Sequence, residues 1–171
     1  MKRLFVMLLV IAVFVCCSGK KIGGEFSGFG ISFSYPSDWE MSEHKNYDHG
    51  INFVLFSGEK SGKNAVYTVT WTQAADIPDF LFADIRLKNI SENTAYESFS
   101  TDDIARPSYS EYKGVGISYQ GIMNGEEYKG EIYAFTTHGT AVCVTKQYAA
   151  SKASEVAEDY QLFEDTFKLT K

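Results

Sequence analysis

Apolar and polar residues alternate along most of this chain, and a period of two puts successive side chains on opposite faces of a strand. Phe29, Ile31, Phe33 and Tyr35 alternate with Gly30, Ser32 and Ser34 and predict a first strand with one wet face, ended by Pro36. Pro36-Ser37-Asp38-Trp39 is turn chemistry that delivers a tryptophan, whose large apolar area is expected to lock the corner onto the core. Glu40 to Gly50 reads as a polar loop. Ile51–Ser57 and Ala65–Thr72 predict two strands joined through the charged segment Glu59–Asn64, and in the second Tyr67, Val69 and Trp71 oppose Thr68, Thr70 and Thr72.

The period then changes. Phe80, Ala83, Leu87 and Ile90 fall on one helical face, with Asp76 as cap and Pro78 in the first turn. Tyr96–Thr101 predicts a short strand, and Asp102–Tyr112 an irregular stretch around Arg106-Pro107, because proline pushes the preceding residue away from helix. Gly114–Met123, Tyr128–Thr137 and Thr140–Tyr148 form three strands joined through Asn124-Gly125 and His138-Gly139, pairs that suit tight hairpins and predict an antiparallel meander. Ser151–Leu169 closes the chain as a helix capped by Ser151, with Val156, Tyr160, Phe163 and Phe167 as its apolar stripe and Glu158, Asp159, Glu164 and Asp165 in water. Strands and helices in this order exclude a doubly wound βαβ sheet. The expected class is α+β, an antiparallel sheet of about six to seven strands with flanking helices.

The N-terminus adds an address. Lys2 and Arg3 precede twelve apolar residues, Leu4 to Val15, a run too short for a hydrocarbon core that needs about 20. A charged start, a short apolar core and then Cys16-Cys17 resemble a bacterial lipoprotein signal peptide, in which a lipid alkylates the cysteine thiolate and the preceding peptide is removed. Cys17 is the expected lipid carrier because Cys16 before it is small; Cys16 is the alternative, and an ordinary secretory signal cut near Ser18 or Gly19 is the other reading. All of these export the chain. Expected boundaries are residues 1–16 for the signal, 17–28 for a lipidated, glycine-rich tether and 29–171 for one domain. Ser18 after the cysteine lacks the acidic residue that retains many such proteins at the inner membrane, so the outer membrane is the preferred destination.

Composition narrows the partners. Losing Lys2 and Arg3 leaves 14 Lys plus Arg against 22 Asp plus Glu, so the net charge moves from −6 to −8, which opposes binding to a phosphate backbone. After Cys16 and Cys17 only Cys143 remains, which leaves no pair for an internal disulfide and no multi-cysteine zinc site. Thirteen Phe, 11 Tyr and 2 Trp suit a packed core. Tyr109, Tyr112, Tyr119, Tyr128 and Tyr133 cluster around the meander and are the expected partner or ligand face, because tyrosine joins apolar area to a hydroxyl; a tyrosine-rich, half-buried sheet is the plainer account. Glu43, His44, Asp48 and His49 put four possible metal ligands in one polar stretch, which reads first as a solvated loop, so no metal and no cofactor is assigned. No nucleophile elbow, zinc-protease motif, P-loop or dinucleotide fingerprint occurs. The chain is read as no enzyme.

One local motif and the order of elements converge on a family. Phe33-Ser34-Tyr35-Pro36-Ser37-Asp38-Trp39 resembles the F-x-Y-P-x-x-W opening of PsbP-like domains, a fold named for an extrinsic protein of the oxygen-evolving photosystem and shared by a Ran-binding import factor and many bacterial lipoproteins. Over about residues 29 to 169 the resemblance implies an α/β/α sandwich around an antiparallel sheet, and carries over no ligand or catalytic residue. The expected function is a lipid-anchored, non-enzymatic envelope module for a protein partner, with a carrier of a small apolar or aromatic ligand as the alternative and an enzyme as a third reading.

Overall fold

The computed structural model describes residues 21–47, 50–73, 77–93, 96–105 and 107–170. Strand alternation and glycine turns build most of it. β1 (Ile22–Gly28) and β2 (Ile31–Pro36) form a hairpin, and β3 (Glu40–Tyr47), β4 (Ile51–Ser57) and β5 (Ala65–Thr72) follow as antiparallel neighbours. α1 (Asp79–Asn93) leads to β6 (Tyr96–Asp103) and a two-residue ribbon of β7 (Ser108–Tyr109) and β8 (Tyr112–Lys113). β9 (Val115–Met123), β10 (Glu126–Thr137) and β11 (Thr140–Ala149) make the expected meander, and α2 (Ala153–Thr166) runs into β12 (Lys168–Leu169). Asn124 and Gly125 (φ 53° and 75°), and His138 and Gly139 (φ 49° and 79°), take the left-handed pairs that tight hairpins need.

The main sheet has the order β3-β4-β5-β11-β10-β9-β6, antiparallel throughout, and β12 adds to the β1–β2 hairpin as a second, three-stranded sheet. Alternation divides the core between the two faces of the main sheet. On one face Val54, Phe56, Tyr67, Val69, Trp71, Val142 and Val144 meet Phe26 and Phe33 of the small sheet and Val156, Phe163 and Phe167 of the C-terminal segment. Phe163 stacks on Tyr67 at 4.0 Å between ring centroids. Burial of one such ring stabilises by about 1.5–3 kcal/mol. On the other face Ile117, Tyr119, Ile132, Ala134 and Cys143 meet Ala83 and Ile90 of α1. The α/β/α arrangement is therefore present, with α2 and the small sheet on one side and α1 on the other.

Several local expectations change. Ile22–Gly28, expected within the tether, is strand β1, and Phe29-Gly30 (φ 49° and 88°), expected inside a strand, is the turn into β2. Glu40–Tyr47, expected as loop, is β3, an edge strand exposed along nearly its whole length, so no apolar alternation marks it. Phe80, expected on the buried face of α1, stands in solvent. The last helix stops at Thr166, because Phe167 is extended (φ −65°, ψ 129°) and drops its ring into the core. Ser151 does not cap it; its hydroxyl lies 3.2 Å from Glu126 Oε1.

Asp159, expected in water, is fully buried. Its Oδ2 accepts the Trp39 indole N–H at 2.9 Å and lies 2.5 Å from Lys63 Nζ, itself 2.6 Å from Asp38 Oδ2. Trp39 also packs edge-on against Tyr160 and Phe163 at 5.6 and 5.2 Å. The tryptophan corner is thus held by a polar latch as well as by its apolar area.

Candidate functional site

Strand alternation decides where the five expected tyrosines go. Tyr109, Tyr112 and Tyr133 belong to the α2 side of the sheet, and Tyr119 belongs to the α1 side. Tyr128 shares the parity of Gly130 and Ile132 on β10 and falls on the α1 side as well. The five do not make one surface.

What gathers on the α2 side is a closed network around Lys146. This lysine follows Val142 and Val144 at every second position of β11, so its side chain enters the core, where it is 7% exposed. Its ammonium lies 5.3, 5.2 and 6.0 Å from the ring centres of Tyr109, Tyr133 and Tyr160. It donates to Glu164 Oε2 at 2.8 Å and sits 3.6 Å from Glu131 Oε2. The Ser110 N–H, on a residue with φ 54°, donates to the other Glu164 oxygen at 3.3 Å. The hydroxyls of Tyr67 and Tyr109 bond each other at 2.7 Å, and burial pushes both far above the usual phenol value. A cation enclosed by three rings and two carboxylates is neutralised locally, so this network orders the core.

Tyr119 packs under α1 and donates to Gln147 Oε1 at 2.9 Å. Its ring lies over Gly130, where a Cβ would come within 2.1 Å of the ring. Tyr128 donates to Glu126 Oε2 at 3.3 Å beside the β9–β10 turn. Glu43 and His44 are successive on β3 and point to opposite faces, Glu43 pairing with Lys45 and His44 packing on Phe26 and Phe29. Asp48 and His49 lie outside the described residues, as do Cys16 and Cys17. Among the described residues no three ligating side chains converge, and no helix is long and apolar enough to cross a membrane. Burial raises the Cys143 thiol to about 12, so it stays an unreactive core group near neutral pH.

The open surfaces lie elsewhere. α1 packs on β9, β10 and β11, and α2 on β2 and β11, so each face of the seven-stranded sheet is covered over part of its width. The bare strip on the α2 side, along β6 and β9, is polar and holds a trough of about 430 Å³ lined by Ser100, Asp102, Gln120, Lys129 and Glu131. The outer surface of α1 carries three exposed apolar side chains in its first two turns, Phe80, Leu81 and Ile85, exposed by 60, 43 and 46%. A cleft of about 740 Å³ opens where the turns at Gly30 and Gly139 meet Gln73, Glu111, Tyr112 and Thr170. Of the expected tyrosines, Tyr119 borders the trough and Tyr112 the cleft, whereas none reaches the second surface. The signal for the second was present, because α1 carries apolar residues around its whole circumference.

No protein-family profile matches the chain, and no curated protein matches its sequence. Among solved structures, the solution structure of cyanobacterial PsbP (CyanoP) from Synechocystis aligns with a TM-score of 0.56 at 13% identity, covering 90% of this chain and 96% of that one. The chain carries a PsbP-like fold. A crystal structure from Bacteroides thetaiotaomicron also aligns at a TM-score of 0.56, with 14% identity over 89% of this chain; this chain spans 49% of that longer protein. LpqN, involved in cell envelope biogenesis of Mycobacterium tuberculosis, aligns at a TM-score of 0.49 and 11% identity, over 86% of this chain and 91% of that one, too loosely to carry an argument. Identities this low establish the PsbP-like fold and carry no ligand or partner across.

Proposed function

We propose that this protein is a lipid-anchored module of the bacterial cell envelope, held at Cys17 with Cys16 as the alternative acceptor, whose PsbP-like domain binds a protein partner or assists its assembly without catalysing a reaction. The observation that carries the partner role is the outer surface of α1. Phe80, Leu81 and Ile85 stand in solvent on a helix whose inner face buries Ala83 and Ile90. Clustered exposed apolar side chains of this kind mark association surfaces. Export and anchoring rest on the N-terminal sequence, and Ser18 after the cysteine supports an outer-membrane destination. The domain then faces the periplasm or the exterior.

The test is cross-linking in cells of the full-length chain, of a Cys17→Ala variant and of a Leu81→Glu/Ile85→Glu variant. One envelope protein recovered in near-stoichiometric amount, and lost in both variants, supports the proposal. Equal recovery from all three removes the roles of both the anchor and the helix.

The cleft of about 740 Å³ favours a second reading, a carrier of a small ligand. Gln73, Glu111, His138 and Thr140 in its lining select a polar ligand over the apolar one expected from the aromatic content. A compound retained through native purification and released on denaturation would move the assignment to this cleft.

A further inference from the structure

The two edges of the main sheet are treated differently. β3 carries Glu43, His44 and Lys45, is bulged between Met41 and Glu43, and has Phe26 and Phe29 packed on His44. Lysines, bulges and covering groups are how natural sheets prevent a further strand from adding. β6, Tyr96-Glu97-Ser98-Phe99-Ser100-Thr101-Asp102-Asp103, has no lysine, arginine or proline, and its bulge lies at its start, between Tyr96 and Ser98.

The register shows which groups of β6 face outward. Ile104 N–H donates to Gly116 O at 2.9 Å, and the same pairing continues through Asp102↔Ser118 and Ser100↔Gln120. Antiparallel pairs alternate, so Phe99, Thr101 and Asp103 turn their N–H and C=O groups away from β9. The Asp103 N–H is taken by Asp102 Oδ1 at 3.0 Å. The N–H and C=O of Phe99 and Thr101 remain without a partner among the described residues.

We propose that β6 is a docking edge for an extended segment of a partner protein in which basic and apolar residues alternate. This deepens the partner-binding reading above and rests on it. Main-chain pairing to Phe99 and Thr101 supplies the attachment, and the two faces of the edge supply the selection. On the α1 side an added strand lies beside Phe99, which stacks with Tyr119 at 5.6 Å and meets Tyr96 at 5.2 Å, so apolar side chains fit there. On the α2 side the small Ser98 and Ser100 leave room over the trough, toward Asp102, Glu127 and Glu131, with only Lys129 among its lining as an exposed cation. Basic side chains fit that row. A second copy of this chain is disfavoured, because edge-to-edge pairing would bring Glu97, Asp102 and Asp103 of both copies into one ribbon, and like charges opposed across strands destabilise.

The test uses the full-length chain in neutral detergent and three capped nine-residue peptides. One alternates Lys and Val, one is the same peptide N-methylated at alternate residues, and one has the same composition in two blocks. The alternating peptide is expected to slow amide exchange at Phe99 and Thr101 at least tenfold. N-methylation and the block order are each expected to weaken binding at least tenfold, and Thr101→Pro to remove the protection. Equal binding of all three peptides, no binding of the first, or protection elsewhere overturns the proposal. Protection of the same two amides on concentrating the protein alone assigns the edge to a second copy and overturns it too. In cells, photoreactive residues placed at Thr101 and at Leu81 separate the two readings: capture of a partner from Leu81 alone leaves the envelope module standing and removes the β6 edge.

Discussion

Substituting Asp159 by Ala tests whether the Trp39 corner is held by its buried ion pair. Asp159 is fully buried and is shared by Lys63 Nζ at 2.5 Å and Trp39 Nε1 at 2.9 Å. Removing one partner of a buried pair costs about 3–5 kcal/mol, chiefly because the other charge is left in a medium that cannot solvate it. Asp38, 2.6 Å from the same ammonium and 41% exposed in its side chain, still neutralises part of that charge, which places the expected loss near the lower figure. The freed indole N–H adds about 1–3 kcal/mol for an unpaired buried donor. The expected total is about 4 kcal/mol, or roughly 8–16 °C in Tm for a domain of this size. Urea unfolding followed by tryptophan fluorescence measures it. Lys63→Met with Asp159→Leu removes both charges and is expected to recover at least ~2 kcal/mol relative to the sum of the two single losses. A loss below ~1 kcal/mol for Asp159→Ala, or strict additivity in the double variant, would refute the latch.

Gly130→Ala drives a methyl into the Tyr119 ring and displaces the hydroxyl from Gln147; a loss of about 2–3 kcal/mol is expected in the same assay, and unchanged stability would mean that the ring moves freely. The buried hydroxyls of Tyr67, Tyr109, Tyr119 and Tyr160 are held above the phenol value mainly by burial, so the unfolded chain ionises first, near pH 10. Stability is complete below that pH and falls above it by about 1.4 kcal/mol per pH unit for each tyrosine held neutral. Absorbance at 295 nm and far-ultraviolet circular dichroism should therefore change together above pH 10 for these four, and ionisation of all eleven near pH 10 with the dichroism unchanged would contradict the burial argument. Leu81→Glu with Ile85→Glu is expected to change stability by no more than ~0.5 kcal/mol while abolishing partner capture, because both side chains are exposed. A large loss of stability would show that they pack in the fold instead.

The meander was legible because its turns are Asn-Gly and His-Gly, and because β11, covered on both faces, buries the unbroken run Ala141 to Lys146 between them. β3 was not, since an edge strand exposed on both sides has the composition of a loop. Asp159 and Lys146 were missed although their spacing marked them. Val156, Asp159, Tyr160 and Phe163 stand at i, i+3, i+4 and i+7 of one stripe, and Lys146 keeps the inward parity of Val142 and Val144. For Asp159 residue charge outweighed position, and in both cases position was the better guide, because a partner from a distant segment met each charge: Lys63 for Asp159, Glu164 for Lys146. Such pairings cannot be read from a single segment. The division of the five tyrosines between two sides was not legible from their nearness in sequence, since strand neighbours alternate between two faces.

Strand β1 also changes what the proposed anchor does. A tether from Cys17 to Phe29 would reach about 40 Å, whereas Lys21, bonded through its carbonyl to the Ser37 N–H, is four residues from Cys17 and within about 14 Å of it. A lipid on Cys17, as proposed, would therefore hold the end of the domain that contains the Trp39 corner close to the bilayer. The registers place Ser57, Ala65, Tyr148 and Tyr96 at that same end, and Thr72, Thr137 and Asp103 at the other. Thr136 bonds Asp79 at 2.7 Å, so α1 begins at the far end, with Phe80, Leu81 and Ile85 in its first two turns. The Gly30–Gly139 cleft opens there too, since Phe29 accepts the Trp71 indole N–H at 2.9 Å. With the proposed anchor, a short tether would turn the latched corner toward the membrane and the apolar helix start, the cleft and the Asp103 end of β6 away from it. Quenching by spin-labelled lipid of a fluorophore at Ser37 but not of one at His138, in vesicle-bound full-length protein, is the expected signature. Equal quenching at both positions would mean that the domain lies on its side, and the short-tether argument would fail.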